Sequence, residues 1–154
     1  ICLRRVYPPL VGVRLSTSFH LIHNSLRQQH YGLIRIAEPA REHVDNHFSP
    51  IDGETAERFC HLRNAVTDLM AQIADNMQHQ RTQDNDALVD RCTELEAKAV
   101  DFNEHVAVSI QAENSNLNSL TLMLHIGQEI QQITIELREL LKTTKTYREQ
   151  LPQL

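Results

Sequence analysis

"TAERFCHLRNAVTDLMAQIADNMQH", residues 55–79, decides the fold class. Its apolar residues Phe59, Leu62, Val66, Leu69 and Ile73 advance by three, four, three and four, and Met77 follows after four more. Steps of three and four keep all of them on one face of an α-helix, which turns once in about 3.6 residues. The same rhythm returns at 87–111 through Leu88, Cys92, Leu95, Ala99, Phe102 and Val106. Two long stripes of this regularity predict helices that pack side by side in a bundle.

The linker between them, "RTQDND" at 81–86, is short and polar, so the two helices must be antiparallel neighbours. Asp84 or Asn85 is available to accept hydrogen bonds from the free amides that open the next helix. Before residue 55, "SPIDGE" at 49–54 supplies Ser49, Pro50 and Gly53, a cluster that ends one element and begins another.

Upstream, Phe19, Ile22, Leu26, Leu33, Ala37, Ala40 and Val44 continue the rhythm, with His30 and His47 at stripe positions. Pro39 predicts that this helix is kinked or broken there. The last segment is two-sided. Leu120, Leu122, Leu124 and Ile126 alternate as in a strand, as do Ile133, Ile135 and Leu137, which would suit a hairpin about Gly127. Ile126, Ile130, Ile133, Leu137 and Leu140 keep helical spacing, and a lone hairpin on a helical domain would be marginal, so a helix is expected.

The expected fold is therefore all-α, an up-down-up-down four-helix bundle with helices near 19–47, 54–80, 86–111 and 115–147. Residues 1–18 are expected to be irregular, 19–147 to form one domain, and 148–154 to fray. Composition agrees: 5% aromatic residues, no Trp and only four Gly favour helices over sheets. The chain begins at Ile1 and reads as a piece or processed form of something longer.

The net charge of -5 is uneven. Six Arg and three acids lie in residues 1–48, and the acidic excess lies in the remainder. Neither part is the dense basic surface that phosphate backbones require, so nucleic acid is not an expected partner. Cys2, Cys60 and Cys92 are odd in number and form no CxxC pair, which favours a reducing compartment. Arg4, Arg5, Arg14, His20, His23 and Arg27 interrupt the apolar N-terminal stretch before a membrane-spanning length is reached.

Nine histidines are the chain's most unusual feature. His43 and His47 are four apart, and the bundle topology brings them with His61 and His105 toward one end. Imidazoles on facing helices are good transition-metal ligands, so these four are the metal candidates. His125 and Glu129, also four apart, form a second tier. The di-iron signature Glu-x-x-His is absent, since no histidine has Glu three residues before it. His43, His61, His105 and His125 each also flank a core-stripe residue, where a half-buried histidine with no ligand is the ordinary outcome. No catalytic constellation is visible, and no cofactor is expected.

The three-segment run from about Phe59 to Leu141, with "IADNMQHQ", "RTQDND", "ALVDRCTELEAKAVDFNEHV" and "NSLTLMLHIGQEIQQITIEL", resembles the helical unit of the PhoU family. The resemblance implies a regulatory bundle, including the cytoplasmic domain that follows the membrane part of bacterial sodium/phosphate cotransporters. It also implies Glu-x-x-x-Asp metal signatures, but here Glu129 is followed four residues later by Ile133. The functional expectation is a non-catalytic regulatory or interaction bundle, working through helix packing against a protein partner or itself. A ligand-sensing receptor bundle and a histidine-rich metal bundle are the alternatives.

Overall fold

The computed structural model describes residues 9–47, 49–79, 81–112 and 116–151. They form four helices, α1 (Pro9–Asp45), α2 (Gly53–His79), α3 (Asn85–Ala112) and α4 (Leu117–Gln150), with a single 3-10 turn at Thr82–Asp84 before α3. No strand occurs among the described residues. The hairpin considered about Gly127 is absent, and α4 runs unbroken through it.

The start of α2 is fixed by Asp52, whose carboxylate accepts the Thr55 backbone amide at 2.9 Å. The bond holds the Asp52 carboxyl below the usual carboxylate range, because the ionised form is the better acceptor. At its other end Arg148 of α4 donates to the Met77 and Asn76 carbonyls at 3.2 and 3.5 Å. A cation satisfying the last carbonyls of α2 is favourable both as a cap and against the helix dipole. It also explains why α4 stays helical to Gln150 instead of fraying after 147.

The core is continuous across α2, α3 and α4, with Leu69, Ile73, Cys92, Ala99, Phe102, Val106, Ile130, Ile133 and Leu137 all buried. α4 is its hub, packing extensively on both α1 and α3, while α2 rests mainly on α3 and only lightly on α4. A helix with neighbours on two sides needs a broad buried face. That is why α4 buries Ser119, Leu120, Met123, Ile126, Gly127, Ile130, Ile133 and Thr134 together, and why its sequence mixes strand-like alternation with helical steps.

Two glycines set the closest approaches. A Cβ on Gly127 would collide with Asn103 and lie 2.8 Å from Phe102 Cδ1 of α3. One on Gly32 would lie 2.8 Å from Ile133 Cγ1 of α4. At the end where α1 hands over to α2, Ser119 Oγ donates to the Ser49 carbonyl at 2.6 Å and Asn116 Nδ2 to the Pro50 carbonyl at 2.7 Å. These bonds pin the first connection against the start of α4.

α1 continues through Pro39 unbroken. It departs from expectation in two ways. Residues 9–18 are helical where the sequence predicts an irregular segment. Its packed face is also not the apolar stripe. The buried and half-buried face carries Leu15, Ser18, Ile22, Ser25, Gln29, Gly32 and Ile36, with Leu15 its one fully buried large apolar side chain, whereas Phe19, Leu26, Leu33 and Val44 are 53, 46, 45 and 69% exposed.

Candidate functional site

The candidate histidines gather at the end of the bundle where α1 hands over to α2, but they do not converge. His43 is half-buried and shares a shallow cleft with Glu42, Leu117 and Asn118. His47 is exposed in a left-handed backbone conformation, φ 53°, with its Nδ1 3.1 Å from the Val44 carbonyl. His61 is exposed, 3.9 Å from the Glu57 carboxylate on its own helix. His105 is half-buried, with Nε2 3.3 Å from the Thr55 hydroxyl of α2. Among the described residues no three His, Cys, Asp or Glu side chains form a group that could hold a metal ion.

His125 and Glu129 have a joint role that spacing alone does not reveal. Pro39 lacks a backbone N–H, so the Arg35 carbonyl four residues earlier has no donor within α1. His125 lies with Nε2 3.0 Å from that carbonyl and donates to it as the Nε2–H tautomer. One turn on, Glu129 accepts from Arg35 Nε at 2.9 Å. The pair on α4 therefore grips the backbone and the side chain of one α1 residue.

The rest of the α1–α4 seam is polar too. Ser25 donates to the Glu136 carbonyl at 3.4 Å, and Gln29 Nε2 donates to the Ile133 carbonyl at 3.3 Å. Gln29 Oε1 is buried without a hydrogen-bond partner among the described residues. This attachment leaves the apolar stripe of α1 uncovered.

The direction of that stripe follows from helix geometry. Arg35 marks the flank of α1 nearest His125 and Glu129, on the side of α4 away from the Arg148 contact with α2. At about 100° per residue, Phe19, Leu26, Leu33 and Val44 lie on the opposite flank of the packed face, the flank directed toward α2. On α2, Phe59, Val66, Met70 and Met77 are only partly buried, on the edge opposite the α3-facing Arg58 and Gln72. α1 scarcely meets α2 among the described residues. The exposed flank of α1 and the partly buried edge of α2 thus lie on the same side of the bundle.

Elsewhere the surface is made of closed polar pairs. Arg138 meets Glu96 at 2.6 Å, Lys145 meets Asp86 at 2.9 Å, and Arg58 bridges Glu54 and Asp101. The α2–α3 cleft carries Asp75, Arg81, Asp84 and Arg91, with Arg81 bound to Asp75 and Arg91 to Gln72. No helix among the described residues is long and apolar enough to cross a membrane. No family model, curated protein or solved structure matches the chain.

Proposed function

We propose that this chain is a non-catalytic regulatory bundle that works by docking a protein partner on the exposed apolar flank of α1. The observation that carries the reading is the uncovered stripe Phe19, Leu26, Leu33 and Val44. Burying side chains of this kind is worth about 1.5–3 kcal/mol each, so their exposure in a row is a standing driving force for association. Scattered exposed apolar residues need no such account, but these share one flank of one helix. A regulatory domain adjoining a phosphate transporter, as the PhoU resemblance suggests, would use such a face against its transporter or a signalling partner.

The test is site-specific photo-cross-linking in cells, with the reactive amino acid at position 26 or 33 and a control at the exposed Val108 of α3. Adducts from 26 and 33, absent from 108, are expected. Absence of any adduct at the stripe positions sinks the reading.

A further inference from the structure

We infer that α1 is a flap, which lifts off α4 as a unit under native conditions while α2, α3 and α4 keep their fold. Buried apolar surface decides which helices come apart together, because it is the main favourable term in folding. Every buried member of the continuous core belongs to α2, α3 or α4. α2, with 27 residues, buries Leu62, Leu69 and Ile73 in it. α1, with 37 residues, adds only the half-buried Ile36 and Ala40 at its rim. Leu15, the one large apolar side chain that α1 buries among the described residues, stands outside that core. The three-helix body thus owns nearly all of the buried apolar surface, and α1 lies against its outside.

The seam beneath α1 is held by polar contacts that water can replace. Ser18 donates to Gln150 Oε1 at 3.3 Å, Ser25 to the Glu136 carbonyl at 3.4 Å and Gln29 to the Ile133 carbonyl at 3.3 Å, all longer than the usual range. Arg35 with Glu129 adds an ion pair whose arginine is exposed. Closure also shuts away Gln29 Oε1 and Glu136 Oε2, two acceptors with no donor among the described residues. Opening returns both to water, which offsets part of the cost of lifting the helix.

The end of α1 supplies the pivot. Ser119 and Asn116 hold the Ser49 and Pro50 carbonyls against the start of α4, so the chain stays attached there while the helix before it swings. α1 scarcely meets α2 among the described residues, so α4 is the helix that has to release it. The docking flank proposed above rides on the same helix, yet the opening does not depend on that reading.

Native-state hydrogen exchange of the full chain, in a series of sub-denaturing urea concentrations, tests the flap. Isolated helices are marginal in water, so the amides of a lifted α1 lose their protection. Those at 22–36 are expected to exchange as one set, faster than the slowest amides of α2, α3 and α4. Their urea dependence should also be weaker, because lifting one helix exposes less surface than unfolding four. Ile73→Val separates this opening from global unfolding, since it trims a core that the closed and open states both keep. The slowest amides of α2, α3 and α4 should then exchange about two- to tenfold faster, with those at 22–36 unchanged. Amides at 22–36 that share the urea dependence of the core, or that speed up with it in Ile73→Val, overturn the proposal.

Discussion

His125 donates, across the α1–α4 seam, the hydrogen bond that Pro39 removes from the Arg35 carbonyl, at 3.0 Å. The proline and the histidine are one device. If so, their substitutions must not be additive. His125→Leu removes that hydrogen bond at the solvent-facing edge of the seam and should cost about 0.5–1.5 kcal/mol. In a Pro39→Ala background α1 supplies its own donor, and the same substitution should cost little. Urea unfolding of the four members of the cycle measures this, and an equal loss in both backgrounds refutes the pairing.

The glycines make a second prediction. Gly127→Ala forces a methyl against Asn103 and the buried Phe102 ring. Overpacking there should cost about 1–3 kcal/mol, more than the gain of up to about 1 kcal/mol in helix propensity. Gly32→Ala sets its methyl against Cγ1 and Cδ1 of the buried Ile133 on α4, and its effect should fall first on the α1–α4 seam. Hydrogen exchange should show faster α1 amides with α3 unchanged. Uniform acceleration over all four helices would contradict this.

Asp52 gives a pH-dependent prediction. Its folded-state pKa is depressed, chiefly by the Thr55 amide, so its contribution is complete above the ordinary carboxylate pKa and disappears as pH falls through the depressed one. Asp52→Ala should lose about 1 kcal/mol at neutral pH, the usual worth of an N-cap. Thermal melts should show the gap between the two proteins narrowing below about pH 4. A gap that persists unchanged in acid would mean that the carboxylate is not the cap.

The cysteines differ in kind. Burial pushes the Cys92 thiol up to about 11, so thiolate is scarce at neutral pH and reagent has no path to it. Cys60 is exposed. Iodoacetamide followed by peptide mass spectrometry should find Cys60 modified in the native protein and Cys92 only with denaturant. Native labelling of Cys92 at a comparable rate would show that the α3–α4 core opens readily.

The sequence was most legible where burial followed apolarity. The stripes through Leu62, Leu69 and Ile73, and through Leu88, Cys92, Leu95 and Phe102, point inward as their spacing predicts. α1 is less legible because Leu15 is the one large apolar side chain among the residues it buries, beside Ser18, Gln29 and Gly32, and a reading that tracks apolar side chains lands about a quarter-turn away. Gly32 was the available clue, since a glycine inside a helix often marks a close approach. The role of His125 needs the register between two helices distant in sequence. Half of it could nonetheless be derived, because Pro39 inside a helix implies an orphan carbonyl at Arg35. The gathering of His43 and His105 near one end followed from topology, but topology says nothing of which atoms point at one another.

The polar seam under α1 has a thermal consequence. Peeling α1 away exposes serines, a glutamine and a glycine, with the fully buried Leu15 and the half-buried Ile22, Ile36 and Ala40 as its apolar losses, so that step carries a smaller heat-capacity change than parting α2, α3 and α4, which share most of the buried apolar side chains. Cooling weakens apolar packing and leaves such hydrogen-bonded contacts nearly untouched. On heating, α1 lacks the apolar enthalpy that the other three helices gain. Among the four helices, α1 is therefore the one whose attachment weakens least on cooling and is released first as temperature rises.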